Sequence, residues 1–491
     1  MLVVSGNEMK KIEEYAINTI KLPSITLMER AALSLCNFLM ENYSDDKKIL
    51  VVAGVGNNGA DGIAVARMLK VADRKVAVYI IGDESKSTPE FAVQKEIYDN
   101  LDGEYVSMWE DFDAYDVIVD GIFGIGLKRE ITGKYREIIE CINNLQREVV
   151  SIDVPSGVDS DTGNIMGIAV KAKHTITFSN AKIGLLLAPG NTYAGRVSIA
   201  NIGIPSIAYE GNCNTITYMD KTELSMPGRD ANGNKGTFGK ILIIAGSMNM
   251  SGAAYLCAKA AYRMGSGLVK IVTCNENREV LQKMLPEAIL FTYNGLENID
   301  ISNEINWADS IVIGPGIGKS QSAVSLVEQV LNSDKKIVID ADGLNIISEH
   351  IYLKDKLNNN VIITPHIGEM ARLTMKSIYE VKNNIISIAE EFANKYNITV
   401  VLKDARTVVA CGVTGKKYIN TSGNDGMATA GSGDVLAGIM GSLYARDNSA
   451  FNSAINAVYL HGVAGDIAAT RLGNAGVMAS DIAESVNETL L

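Results

Sequence analysis

Short runs of consecutive apolar residues recur along the chain, each ending on glycine, aspartate or proline. In the first part these are Ile49–Ala53, Val76–Ile81, Val117–Asp120, Val149–Asp153 and Thr175–Phe178. They are rich in Val and Ile and show no polar alternation, the pattern of parallel strands covered on both faces. Stretches with helical spacing, such as Ile25–Leu39 and Gly62–Leu69, lie between or before them. Past Ile199 the pattern loosens through Gly203, Pro205, Gly211, Asn212 and Asn214 and then into the polar, glycine-rich Pro227–Gly236. This change places a domain boundary near residue 215. A second, longer series starts at Ile241–Ala245 and continues through Leu268–Val272, Ile311–Ile313, Ile337–Asp340, Val361–Thr364 and Thr399–Leu402. Alternation of strands and helices predicts an α/β fold. No repeat at a solenoid period and no low-complexity tract is present, so residues 1–215 and 216–491 read as two different α/β domains.

Composition narrows the function more than the fold. The length of 491 residues suits two to four domains at about 150 residues each, and 47% hydrophobic with 21% charged residues is ordinary for a globular chain. Lys plus Arg number 45 against 57 Asp plus Glu, and a net charge of −12 gives a nucleic-acid partner no bulk support. The six cysteines form no CxxC pair and the four histidines are scattered, which signals neither a disulfide framework nor zinc and suits a reducing cytoplasm. No apolar run approaches the roughly 18 residues of a membrane span, and the start MLVVSGNEMKK lacks the character of a signal peptide. A whole, cytoplasmic chain without a membrane partner is therefore expected.

Chemistry-bearing motifs sit at the ends of the strand runs. After Ile49–Ala53 comes Gly54-Val-Gly-Asn-Asn-Gly-Ala-Asp-Gly62 and then a helix. A strand, a glycine-rich turn and a helix start make an anion cradle, because free N–H groups and the helix dipole face the turn. Alone, the segment also reads as a tight connection with Asp61 capping the helix. Two further runs end in Asp120-Gly-Ile-Phe-Gly-Ile-Gly-Leu127 and Asp153-Val-Pro-Ser-Gly-Val-Asp159. Carboxyl ends of parallel strands share one edge, so Asn58, Asp120, Asp153 and Ser156 can meet over one crevice. Oxygen ligands without sulfur or histidine suit a hard cation.

GNNGADG, DGIFGIGL and DVPSGVD, in that order, resemble the N-terminal epimerase domain of the bacterial bifunctional NAD(P)H-hydrate repair enzymes, over roughly residues 1–215. The resemblance implies a Rossmann-like doubly wound sheet. It further implies that Asn57, Asn58, Gly59, Ala60 and Asp61, with Gly124, Ile125, Gly126, Leu127, Lys128, Arg129 and Glu130, contact the hydrate. Asn58, Asp120 and Ser156 would hold a potassium ion and Asp153 would touch the reacting ring, where the chemistry of epimer exchange reads it as catalytic, acting on the C6 hydroxyl or the ring nitrogen. Val55 and Ala60 depart from the family's usual GPGNNGGDG and lie in the cradle.

In the second half, Gly423–Gly438 runs from a glycine-rich loop into the helical Val435–Leu443. Gly431 and Gly433 free N–H groups for a phosphate, and Asp434 stands at the helix start, able to accept a proton from an attacking hydroxyl. An aspartate cap on a glycine turn is the alternative, and no Walker lysine signature is present. Upstream lie Gly314-Pro-Gly-Ile-Gly318, Asp340-Ala-Asp-Gly-Leu-Asn345, Thr364-Pro-His-Ile-Gly-Glu369 and Lys403-Asp-Ala-Arg-Thr407, each just past a strand run. Taken singly, His366 reads as a turn residue, and Lys403 and Arg406 as solvated. Together with HGVAGDIAA these stretches resemble the ADP/ATP-dependent NAD(P)H-hydrate dehydratases of the ribokinase-like superfamily over roughly 216–491, with Ile367 and Asp425 replacing prolines at positions read as loops. That resemblance implies a ribokinase-like α/β/α domain in which Ala253, Gly316, Gly318, His366 and the catalytic Asp434 face the hydrate. Lys403, Asp404, Ala405, Arg406, Thr407 and Gly433 would bind the nucleotide. Magnesium would bridge the phosphates of ADP, and the substrates would be NADHX and NADPHX, handled by a homo-oligomer. Two other readings stay open on the residues: a plain small-molecule kinase, and a binding or scaffold role for the first domain.

Overall fold

The computed structural model describes residues 1–213, 216–219, 224, 228, 230–294, 299–447 and 449–490. By its internal contacts the chain divides into two compact units, Leu2–Ile216 and Thr217–Leu491. Residue 215, near which the sequence places a boundary, lies outside the described residues, as do Asn214, Pro227 and Arg229 of the loosened segment.

In the first unit the strands are β1 (Leu2–Val4), β2 (Ile49–Gly54), β3 (Val76–Ile81), β4 (Val117–Gly121), β5 (Glu148–Ile152), β6 (His174–Phe178), β7 (Ala181–Lys182) and β8 (Arg196–Ala200). Six of them form a fully parallel sheet in the order β3-β2-β4-β5-β6-β8, while β1 and β7 pair in parallel apart from it. Helices cover both faces. Ile49, Val51, Ala53, Val117 and Val119 pack against the helices Ser24–Asn42 and Asn57–Val71, whereas Leu50, Val52 and Ile118 pack against Ile138, Ile139 and Ile142 of Lys134–Asn144. Double burial is why these strands show no polar alternation. The chain order reverses between β2 and β4, which opens a crevice at their carboxyl ends.

A two-residue strand, β9 (Ile216–Thr217), falls at the division. The second unit contains β10 (Lys240–Ile244), β11 (Leu268–Cys274), β12 (Ile289–Tyr293), β13 (Ser310–Ile313), β14 (Lys336–Ile339), β15 (Val361–Ile363), β16 (Thr399–Leu402), β17 (Val408–Cys411) and β18 (Lys417–Ile419). They run in the order β12-β11-β10-β13-β14-β15-β16-β17-β18, parallel as far as β16 and antiparallel beyond it. One face of this sheet is buried under the helices Ser251–Arg263, Ser432–Arg446 and Ala450–Leu472. Here too the order reverses, between β10 and β13. Among the described residues no helix is long and apolar enough to cross a membrane.

Candidate functional sites

At the β2/β4 reversal a cleft of about 700 Å³ is lined by Gly54–Asn58, Asp61, Ile122–Arg129, Asp153 and Phe178, with Lys10 and Glu13 from the Gly6–Asn18 helix. The helix after β2 starts at Asn57, with Gly56 at its cap and no side-chain cap, so its first N–H groups stay available to an anion. Asp61 therefore does not cap this helix; it lies one turn inside and faces the cleft. Gly59 and Ala60 are buried under the cradle, and a Cβ at Gly59 would stand 1.6 Å from the Gly54 carbonyl oxygen, so only glycine fits there. Of the residues the resemblance assigns to the hydrate, Asn57, Asn58, Asp61, Gly124, Ile125, Gly126, Leu127, Lys128, Arg129 and Asp153 line the cleft, whereas Gly59, Ala60 and Glu130 do not.

Asp120 and Ser156 meet in full burial. Asp120 Oδ1 accepts from Ser156 Oγ at 2.5 Å and from Ile122 N at 3.3 Å; Oδ2 accepts from Ser156 N and Ser151 Oγ, both at 2.8 Å. Burial pushes this carboxyl up, and the four hydrogen bonds pull it back. Asn58 reaches the same place. Its Oδ1 lies 3.0 Å from where a Cβ on Gly124 would stand, and its buried Nδ2 has no hydrogen-bond partner. The Asp120 carboxylate, which pairs with no cationic side chain among the described residues, and the Ser156 hydroxyl on it, with the Asn58 amide oxygen beside Gly124, are the oxygen donors a hard monovalent cation takes.

Asp153 lies one residue past β5 in the left-handed region, φ 61°, a conformation costly for a non-glycine residue. Its Oδ1 accepts from Lys182 Nζ at 2.5 Å, Thr177 Oγ1 at 2.9 Å and Phe178 N at 3.4 Å. Lys182 is fully buried and also donates to Phe178 O at 2.9 Å. Burial pushes the neighbouring Glu13 carboxyl up to about 7, with Lys182 pulling it down and Asp153 adding to the rise. Asp61 is driven well above the usual carboxylate range by burial and by the Asp153 and Glu13 charges. Sequence reasoning missed Lys182, Thr177 and Glu13; a lone lysine within the apolar Thr175–Leu187 was the available signal.

In the second unit the strand-end loops gather around the start of the Ser432–Arg446 helix. Gly431, φ 89°, caps it through its backbone, and Asp434 lies in its first turn without capping. Lys403 is not solvated: its Nζ bonds Asp340 Oδ1 at 2.7 Å, an oxygen that also accepts from Thr364 Oγ1 at 2.7 Å. A Cβ on Gly433 would lie 3.3 Å from that Nζ, so the glycine loop meets the ion pair directly. The Asp434 carboxyl is pushed up to about 7 by burial and by Asp340, with Lys403 opposing. Gly316 abuts Ala253, and Gly318 N donates to Asp342 Oδ2 at 2.9 Å. Arg406, read singly as solvated, donates to Thr421 O at 2.6 Å, while Asp404 and Ala405 are exposed.

His366 is a helix cap rather than a turn residue. Its Nδ1 accepts from Gly368 N at 2.9 Å and Glu369 N at 3.4 Å, which leaves Nε2 as the protonated ring nitrogen. Ile367, expected in a loop, is the first residue of the Ile367–Thr374 helix, and Asp425 opens a short 3₁₀ turn held by Asn474. The HGVAGD segment braces the glycine loop: His461 Nε2 lies 3.3 Å from Ser432 Oγ, and Asp466 accepts from Gly423 N at 3.0 Å and Asn424 Nδ2 at 2.8 Å. Burial holds His461 down at about 4, so its ring is neutral.

A glycine cradle over buried acids and a glycine loop over a lysine–aspartate pair define a fused pair of α/β enzyme units for phosphate-bearing small molecules, the second of the ribokinase-like kind. The chain belongs to the family of bifunctional NAD(P)H-hydrate repair enzymes. Residues 24–184 match the family model described as YjeF-related protein N-terminus, and 241–488 the model for NAD(P)H-hydrate dehydratase. The bifunctional NAD(P)H-hydrate repair enzyme of Moorella thermoacetica is 32% identical over 98% of this chain and 95% of its own length. That of Escherichia coli is 32% identical over 97% and 92%. Among solved structures, the ADP/ATP-dependent NAD(P)H-hydrate dehydratase of Bacillus subtilis, co-crystallised with ATP and Mg²⁺, matches at 27% identity and TM-score 0.50, covering 56% of this chain and 97% of that one. A ribokinase-like superfamily protein of Enterococcus faecalis matches at 28% identity and TM-score 0.50, covering 56% and 94%.

Proposed function

We propose that residues 1–215 interconvert the R and S epimers of NAD(P)HX and that residues 216–491 dehydrate the S epimer to NAD(P)H at the expense of ADP. The observation that carries this reading is Asp434, a carboxyl pushed up to about 7 in the first turn of a glycine-loop helix, next to the Lys403–Asp340 pair. The hydrate bears a hydroxyl on C6 of its reduced ring, and hydroxide is a poor leaving group. Asp434 takes the hydroxyl proton while the oxygen attacks the terminal phosphorus of ADP, releasing AMP; phosphate then departs as the ring nitrogen donates electrons and C5 loses a proton. The amides of Gly431–Gly433 cradle the transferring group, and Lys403 offsets its charge. Lys403–Thr407 and Gly433 hold the nucleotide; Ala253, Gly316, Gly318 and His366 hold the hydrate. Magnesium, when bound on the ADP phosphates, supplies further charge neutralisation, and the carboxylates of Asp340 and Asp342 that act on Asp434 are the donor chemistry this hard cation takes.

In the first unit Asn57, Asn58 and Asp61 of the turn and Gly124–Arg129 of the following loop hold the hydrate, and Asp153 acts at its ring. Asn58, Asp120 and Ser156 would hold potassium, which when bound would supply a fixed positive charge. Six unpaired cysteines favour a cytoplasmic setting, and the exposed Met375, Ile378 and Tyr379 favour a homo-oligomer. Incubation with mixed NADHX epimers and ADP is expected to restore NADH absorbance from both, with AMP and phosphate as co-products. Accumulation of a stable phosphorylated product, with no NADH, overturns the dehydratase reading in favour of a kinase.

A further inference from the structure

We infer that Glu13 is the proton donor working opposite Asp153 in the first unit's cleft, and that Lys182 positions Asp153 for its part. The inference rests on the epimerase reading of this cleft.

Inverting C6 of a cyclic carbinolamine requires two groups in opposite protonation states at once. A base takes the C6 hydroxyl proton as the C=O bond forms. The electron pair of the breaking C6–N1 bond passes to nitrogen, which takes a proton from an acid. Rotation about C5–C6 presents the other face of the aldehyde, and reclosure returns both protons. Nothing is oxidised or reduced, and no co-reactant is consumed.

The cleft holds such a pair. Lys182, buried and within 2.5 Å, occupies Asp153 Oδ1 together with Thr177 and Phe178, leaving Oδ2 as the free oxygen of a carboxylate with a cation beside it. Glu13 lines the same cleft and makes no hydrogen bond or ion pair among the described residues, so its carboxyl is not committed elsewhere. Its helix is anchored: Ser5 and Glu8 form a capping box, and Gly6 N donates to Asp161 Oδ1 at 2.5 Å. The charged groups acting on Glu13 are Glu14 on its own helix and Asp153 and Lys182 from the strand ends, and Asp61 feels Glu13 in turn. Burial, modified by these charges, leaves Glu13 at about 7, where a carboxyl both gives and regains a proton near neutrality; burial also drives Asp61 well above its usual range.

The test is epimer exchange by the full-length protein without ADP, followed by chromatography on separated NADHX epimers between about pH 6 and about pH 9, with the uncatalysed rate subtracted and folding checked by circular dichroism melts. Because Glu13 must carry its proton, wild-type kcat is expected to fall as pH rises through about 7. Glu13→Gln is expected to lower kcat by about a hundredfold or more, with KM little changed and the alkaline fall gone. Lys182→Met should lower kcat, and Lys182→Arg should recover part of it. A folded Glu13→Gln variant that keeps both the rate and the alkaline fall overturns the assignment, as does loss of that fall in Asp61→Asn but not in Glu13→Gln. An unchanged kcat in Lys182→Met removes Lys182 from the mechanism. A wild-type protein that exchanges no epimers at any pH sinks the epimerase reading itself, an outcome distinct from failure of the acid alone.

Discussion

A carboxyl held at about 7 makes Asp434 a base whose readiness depends on pH, because only the ionised form accepts the hydroxyl proton. The kcat/KM for dehydration is therefore expected to rise with pH through about 7 and then level off, the reverse of the trend expected for epimerisation. Asp434→Asn should lose about a hundredfold or more of the dehydration rate while still binding nucleotide, as followed by NADH absorbance and calorimetry; near wild-type turnover would falsify its role as base. The two aspartates of the first unit differ in the same residue-by-residue way. Asp120 is sealed under the cradle among hydroxyl and amide groups, whereas Asp153 opens on the cleft beside a buried ammonium. Asp120→Ala should weaken hydrate binding in a manner that added potassium partly offsets, and Asp153→Ala should depress turnover at saturating hydrate whatever the potassium concentration. A potassium titration of epimer exchange separates them, and rescue of Asp153→Ala by the ion would undo that division.

Among the elements, the Ile367–Thr374 helix offers a test of backbone logic. Ile367 is its first residue, where an N–H has no intrahelical partner, and His366 before it is extended at φ −79°, ψ 171°, as a residue preceding proline must be. Ile367→Pro should thus raise stability by about 0.4–1 kcal/mol, read as a higher urea midpoint; a lower midpoint would show that the isoleucine side chain contributes more than the ring's rigidity. The same scale shows what the chain made legible. Strands β2, β3, β4, β5 and β6 stood out because both faces are buried, and Val76–Ile81 matched to the residue. The edge strand β8 did not, since Arg196 and Ser198 interrupt its apolar positions, and β12 went unread although Ile289–Phe291 is apolar. The antiparallel β17 and β18 did not stand out either, lying just past the Lys403–Thr407 segment, which reads as a loop. Glycine loops and strand-end aspartates could be read as a site because their positions follow from topology. Glu13 and Lys182 do not follow from that topology: Glu13 lines the cleft from a helix before the sheet, and Lys182 reaches Asp153 from a two-residue strand outside it, marked only by being a lone lysine in an apolar stretch.

At the scale of the whole molecule, each unit has its own sheet with its own buried clusters. Separate fragments ending and starting near residue 215 are expected to fold, the first exchanging epimers alone and the second dehydrating only the S form. Fragments that are soluble and folded yet inactive until mixed would show that the sites depend on one another. A last consequence comes from the Ala450–Leu472 helix, which ties the glycine loop at Ser432 through His461 and at Gly423 and Asn424 through Asp466. A loop splinted at two points has already surrendered its freedom before any phosphate arrives. Its entropic toll on capture is correspondingly small, and the Gly423 amide should exchange slowly with deuterium even in ligand-free protein, becoming fast when Asp466→Ala cuts the splint.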